Sequence, residues 1–127
     1  MTNPLLATLL AAALLAPTAA HAIETSIEIE IGTDSDFERR NVLYDCSDGE
    51  PFDVTYINAA PNFLALVPIA DEPELHVFAS VVSASGARYA SGQYVWWSKG
   101  ADAELYDVTL GEDAAAVLTC SEMTNTP

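Results

Sequence analysis

The sequence predicts an all-β fold, a small antiparallel sandwich or barrel in a single domain. Three observations carry that reading. Apolar and polar residues alternate with a period of two along almost the whole chain, as in "SIEIEI", where Ile27, Ile29 and Ile31 oppose Ser26, Glu28 and Glu30. Turn signals recur every eight to twelve residues, at "SDGE", "AAPN", "ADEP", "SASG", "SG", "KGAD" and "GEDA". Beyond the first 22 residues, no amphipathic helical stretch of ten or more residues is found.

Residues 1–22 read as a leader rather than as part of the fold. "LLATLLAAALLA" is an apolar run of signal-peptide length, and Ala20 to Ala22 form an A-x-A cleavage site. The run breaks at Pro17, short of the ~20 residues a membrane span needs. No cysteine follows it, so the expectation is a cleaved, unlipidated, exported chain beginning near Ile23. Removing 22 of the 127 residues leaves 105, enough for one domain.

Candidate strands then follow in order: "SIEIEI", "VLYDC", "FDVTYIN", "NFLALVPI", "ELHVFASVV", "GARYA", "QYVWWS", "AELYDVTL" and "AAVLTCSE". With eight or nine strands in so short a chain, closure into a barrel disposes of the edges best. "GTDSDFERRN" reads as a mobile loop. The interior of a barrel this small is filled by side chains, which leaves little room for an enclosed apolar ligand.

All 19 acidic and four basic residues lie after the leader, so the net charge of -15 belongs to the domain. That balance makes nucleic acid and anionic lipid poor partners and favours a basic one. Cys46 and Cys120 are the two cysteines, and an even pair in an exported domain reads as one disulfide. Closing so long a loop stabilises by up to about 4.5 kcal/mol on the chain-entropy account. His76 follows the leader inside "ELHVF", where a strand histidine is a structural residue more often than a catalytic one. No enzyme is predicted and no cofactor or metal is required. Asp34, Asp36, Asp45, Asp48 and Glu50 are oxygen ligands of the kind calcium takes, but their spacing is not that of an EF-hand. An acidic calcium- or ligand-binding barrel is the alternative reading.

The stretch from Ser83 to Leu105 holds the one lysine, Lys99, and adjacent tryptophans at 96 and 97. "GARYA-SG-QYVWW" predicts a hairpin turning at Ser91–Gly92, with Tyr89 opposite Tyr94, Ala87 opposite Trp96 and Ser85 opposite Ser98. Tyr89, Tyr94 and Trp96 then share one face, and Arg88, Val95 and Trp97 the other. Both flanking turns fall on one rim, so Ser85 and Lys99 end neighbouring strands. Gly86 and Gly100 remove side-chain bulk beside them. The tryptophans are expected to act mostly as scaffold.

"SGARY" (Ser85–Tyr89) and "WSKGADAEL" (Trp97–Leu105) resemble the two signature motifs of the MliC/PliC family, bacterial inhibitors of c-type lysozyme. "YDCSDGEPFDVTY" resembles that family's opening segment, and Cys120 falls near its end. The resemblance implies an eight-stranded antiparallel β-barrel, with a core at about residues 44–121, whose signature loops enter the lysozyme active-site cleft. It implies that Ser85 and Lys99 contact the catalytic carboxylates, with Tyr89, Arg88 and Trp97 as a surrounding ring. Without a lipidated cysteine, the chain looks like the soluble periplasmic type. The role of residues 23–41 and association into a homodimer are left open by the sequence.

Overall fold

The computed structural model describes Leu15, Ser26, Glu28, Glu30 and residues 37–124. The leader, the isoleucines of "SIEIEI", and Asp34 and Asp36 lie outside the described residues. The described chain forms eight strands: β1 (Phe37–Cys46), β2 (Phe52–Ala59), β3 (Asn62–Val67), β4 (His76–Val81), β5 (Ala87–Ser91), β6 (Tyr94–Lys99), β7 (Asp102–Asp107) and β8 (Leu118–Glu122). Each pairs antiparallel with its neighbours in sequence, and β8 returns to β1, closing a barrel. Closure removes the free edges that eight short strands otherwise expose.

Alternation decides what faces inward. Val42, Tyr44 and Cys46 of β1 are buried and their neighbours are exposed. Across β2, β3 and β4, Tyr56 pairs with Ala65 and Ala65 with Phe78, so a small residue separates two large rings. That large-small-large order lets side chains fill a narrow interior without strain. Trp96 is fully buried at the centre, edge-on to Tyr44 at 5.3 Å between centroids. Its indole N–H donates to the Tyr56 hydroxyl (2.8 Å), which is hydrogen-bonded to the Tyr44 hydroxyl (2.8 Å). The buried polar tips thereby satisfy one another. Burial pushes the Tyr44 phenol far above its ordinary range, and the bond to Tyr56 pushes the same way.

Cys46 and Cys120 are direct register partners on β1 and β8, and their disulfide staples the seam where the barrel closes. The fold therefore has the predicted class, strand number and disulfide.

Four local readings are corrected. The hairpin register slides by one pair: Ser91 faces Tyr94, Tyr89 faces Trp96, and Ala87 faces Ser98. The two-residue turn is Gly92–Gln93, because Gly92 takes the positive φ (54°) that a type II′ hairpin demands at its first central position. Such a slide preserves parity, so the predicted face assignments survive. Phe37–Asn41, expected as part of a loop, pair instead with Ala59–Thr55. All five side chains are exposed and four of them are polar, which hides the strand, while the backbone still completes a ladder. "DVTL" leaves the strand after Asp107, whose carboxylate accepts from the Thr109 N–H (2.9 Å) and starts a short 3-10 turn. Finally, β3 ends at Val67, before Pro68, which has no N–H to offer a ladder.

Candidate functional site

The alternating connections divide the barrel into two rims. One carries the β2–β3 turn, the β4–β5 loop (residues 82–86) and the β6–β7 turn (Gly100–Ala101). Ser85 and Lys99 lie on this rim, as expected. Their relation differs in detail, since Ser98 pairs with Ala87, and Ser85 stands just beyond the end of β5.

What joins them is Trp97. Its indole N–H donates to the Ser85 carbonyl (2.9 Å), which also accepts from the Ser83 hydroxyl. The Lys99 ammonium lies over the same ring, 3.4 Å from its centroid, and the Arg88 guanidinium carbon is 4.9 Å from it. A cation over an indole gains roughly 0.5–2 kcal/mol, more as it is desolvated. One half-buried side chain thus fixes the loop on one side and the lysine on the other.

Gly86 makes that contact possible. Its φ is 64°, and an added Cβ would stand 2.4 Å from the Ser98 carbonyl oxygen and 2.8 Å from Lys99 Cγ. Glycine is required there by the molecule's own packing, independently of any visitor. Gly100 has open space around it but also needs a positive φ (59°) to turn β6 into β7.

Lys99 has no carboxylate partner among the described residues. The ion pairs found there are Arg40–Glu122 (2.7 Å) and His76–Glu72. Asp102, the register partner of Lys99, instead accepts from the Ser121 hydroxyl (2.8 Å). So, among the described residues, the one lysine of this acidic chain is not consumed in an ion pair. It remains an exposed ammonium beside an exposed serine.

The other expected contacts divide. Arg88 and Trp97 join the cluster. Tyr89 does not: it is 6% exposed, inside the barrel against Tyr56 at 5.8 Å, and is a packing residue. Asp48 caps the β1–β2 turn by accepting from the Glu50 N–H (3.0 Å). Among the described residues, no group of three or more acids, histidines or cysteines is arranged to hold a metal ion. His76 is held by Glu72 and lies edge-on to Tyr94 (5.7 Å).

Residues 44–114 match a family model described as membrane-bound lysozyme-inhibitor of c-type lysozyme, MliC. The chain belongs to the MliC family. A Pseudomonas aeruginosa protein named membrane-bound lysozyme inhibitor of C-type lysozyme is 45% identical over 89 residues, 70% of this chain and 69% of that one. A Cupriavidus necator protein of the same name is 46% identical over 79 residues, 62% of each chain. The chain thus spans about two thirds of the length of these relatives. Among solved structures, the crystal structure of Pseudomonas aeruginosa MliC in complex with hen egg white lysozyme aligns with a TM-score of 0.66 at 37% identity, over 80% of this chain and all of that one.

Sequence reasoning named Trp97 as part of a surrounding ring but not as the side chain that joins the Ser85 loop to Lys99. The signal was its parity: it lies on the opposite face from Trp96, in step with Arg88 and Lys99.

Proposed function

We propose that this protein inhibits c-type lysozyme by presenting Ser85 and Lys99 to the two catalytic carboxylates of the enzyme. The observation that carries the reading is a lysine poised over Trp97 with no carboxylate of its own among the described residues. Lysozyme is a retaining glycosidase, whose two carboxyl groups stand roughly 5–5.5 Å apart, one protonated and one ionised. An ammonium answers the ionised group, and a hydroxyl hydrogen-bonds the other. Neither is a substrate, so the complex has no chemistry to complete. Family membership and the lysozyme complex of the Pseudomonas aeruginosa relative support the partner, and the role is a non-enzymatic one.

The background charge contributes at longer range. A net charge of -15 steers a basic enzyme toward the barrel and makes association sensitive to salt. The leader delivers residues 23–127 to the periplasm, where the peptidoglycan to be protected lies.

The test is a cell-wall lysis assay with the protein and its Lys99→Ala variant. Removing one partner of a desolvated charge pair costs about 2–5 kcal/mol, or about 30- to 5,000-fold in inhibition. Thermal unfolding should barely move, since Lys99 is exposed. Absence of inhibition by the intact protein against several c-type lysozymes would sink the function. Inhibition indifferent to Lys99→Ala would retain the function and refute the mechanism.

A further inference from the structure

The rim opposite Ser85 and Lys99 opens into a cup. The β1–β2 turn, the β3–β4 loop and the β7–β8 loop surround a cavity of about 630 Å³ there. Phe52, Ile69, Tyr94, Leu105, Val117 and Leu118 give it an apolar lining. Of these, Phe52, Tyr94 and Leu118 also pack against the core. The Phe52 ring lies 6.1 Å from that of Trp96, so the filled interior of the barrel forms the floor of the cup. Val117 stays 47% exposed. A cavity of this size and lining suits a small organic molecule, and the mouths of β-barrels are a common place for one.

The rim around the cup is acidic. Two acids stand in the β1–β2 turn, three in the β3–β4 loop and two in the β7–β8 loop, with Asp107 at the end of β7. No Lys or Arg stands among them. Asp48, Glu50 and Asp107 line the cavity itself. Asp107 is held below the ordinary carboxylate range chiefly by the hydrogen bond from the Thr109 hydroxyl, so it is ionised at neutral pH. Glu50 enters neither ion pair of the described residues. Acids around an apolar floor disfavour a fatty acid, an anionic lipid and a second copy of this chain, whose own charge is -15.

We propose that this cup binds a small cationic amphiphile, its apolar body on Phe52, Leu105 and Leu118 and its ammonium group against Glu50 and Asp48. The apolar lining supplies the affinity, and the carboxylates select the sign of the head group. An anion of the same shape meets repulsion at the position where the amine is attracted. Ser85 and Lys99 lie on the other rim, so the cup fills without obstructing the capture of lysozyme. Its occupancy neither requires nor blocks inhibition.

Titration of protein purified from expression of the full chain with octylammonium, octanol and octanoate, followed by backbone amide NMR shifts, tests this at low salt. Octylammonium should shift the amides of residues 50, 52, 69, 70, 117 and 118, and bind at least about tenfold more tightly than octanoate. Octanol should fall between them, and added salt should erode the advantage of the amine. Glu50→Gln should weaken octylammonium about 2- to 5-fold and leave octanol unchanged. Ala70→Phe, at an exposed position of the lining, should fill the cup and abolish binding of all three, with lysozyme inhibition intact. Val117→Asp covers the case in which Ala70→Phe does not fold, and should weaken octanol at least about fivefold. No shift at these residues, equal affinity for octanoate, or binding indifferent to both lining variants would each overturn the proposal. So would shifts confined to residues 77–82, which would place the amine on the outer wall. Binding of a lysine-flanked leucine peptide but not of octylammonium would overturn it as well, and assign the cup to a protein segment. Loss of lysozyme inhibition in a folded Ala70→Phe variant would overturn it too, and assign this rim to the enzyme.

Discussion

Trp96 and Trp97 are neighbours in sequence and opposites in surroundings. Trp96 is fully buried, edge-on to Tyr44, with its N–H spent on Tyr56. Trp97 is half-buried on the outer wall, with its N–H on the Ser85 carbonyl and its ring beneath Lys99. Both offer the same chemistry, a broad apolar plate with one donor at its edge. Strand alternation alone assigns one plate to the fold and the other to the site.

The sharpest way to break this division is to truncate Trp96. Trp96→Ala should destabilise by about 3–5 kcal/mol, a large part of what a small domain possesses. Urea unfolding measures that loss, and the fraction still folded should inhibit lysozyme as before. A variant that kept its stability but lost inhibition would show that the inner plate also serves the site.

Trp97→Ala should reverse the pattern. With it go a cation–ring contact and the hydrogen bond that pins the Ser85 loop, together worth about 1–2 kcal/mol of binding, or about 5- to 30-fold. Unfolding should move little, because the ring packs outside the barrel. Trp97→Phe keeps a plate for Lys99 but no donor for Ser85, and its inhibition should fall between the two. Lysozyme titration of all three proteins would show whether Trp97 positions the lysine or merely neighbours it.

The difference between the two plates also marks what could be read from sequence. Strand number, the barrel and the disulfide were legible because they rest on alternation and cysteine count, which are local or nearly so. The shared rim was legible because it follows from strand parity. The hairpin register was not, since both Ser91–Gly92 and Gly92–Gln93 satisfy a two-residue turn, and only the backbone angle of Gly92 decides. Tyr89 was counted as a contact although its parity with Trp96 already placed it inside. Nor could the sequence say that the cations would meet over Trp97 rather than over an acid. Residues 88, 97 and 99 share a face, but so does Glu104, register partner of Trp97. Rotamer and distance settle that competition, and Glu104 instead accepts from the Tyr106 hydroxyl.

The smallest expected effect tests the dryness of the inner side. Burial raises Tyr44, first through lost solvation and then through Tyr56, so its neutral form is favoured by the fold. A folded-state pKa above the unfolded one gives stability that is fully present below the unfolded value of about 10 and lost as pH rises beyond it. Above that pH the unfolded chain releases the proton while the folded barrel retains it, and stability falls by up to about 1.4 kcal/mol per pH unit for this residue. Tyr106, outside near Trp97, is also raised, chiefly by its hydrogen bond to Glu104. Solvent still reaches that half-buried pair on the outer wall and screens it, so its contribution should be minor. Tyr44→Phe therefore separates the two sides. It should cost about 1 kcal/mol at neutral pH, for the hydroxyl pair, yet flatten the decline between about pH 10 and 11. Tyr106→Phe should leave that slope nearly unchanged. Urea unfolding across this range reads both, and equal slopes in the two variants would mean that water reaches the Tyr44–Tyr56–Trp96 chain as freely as it reaches the outer wall.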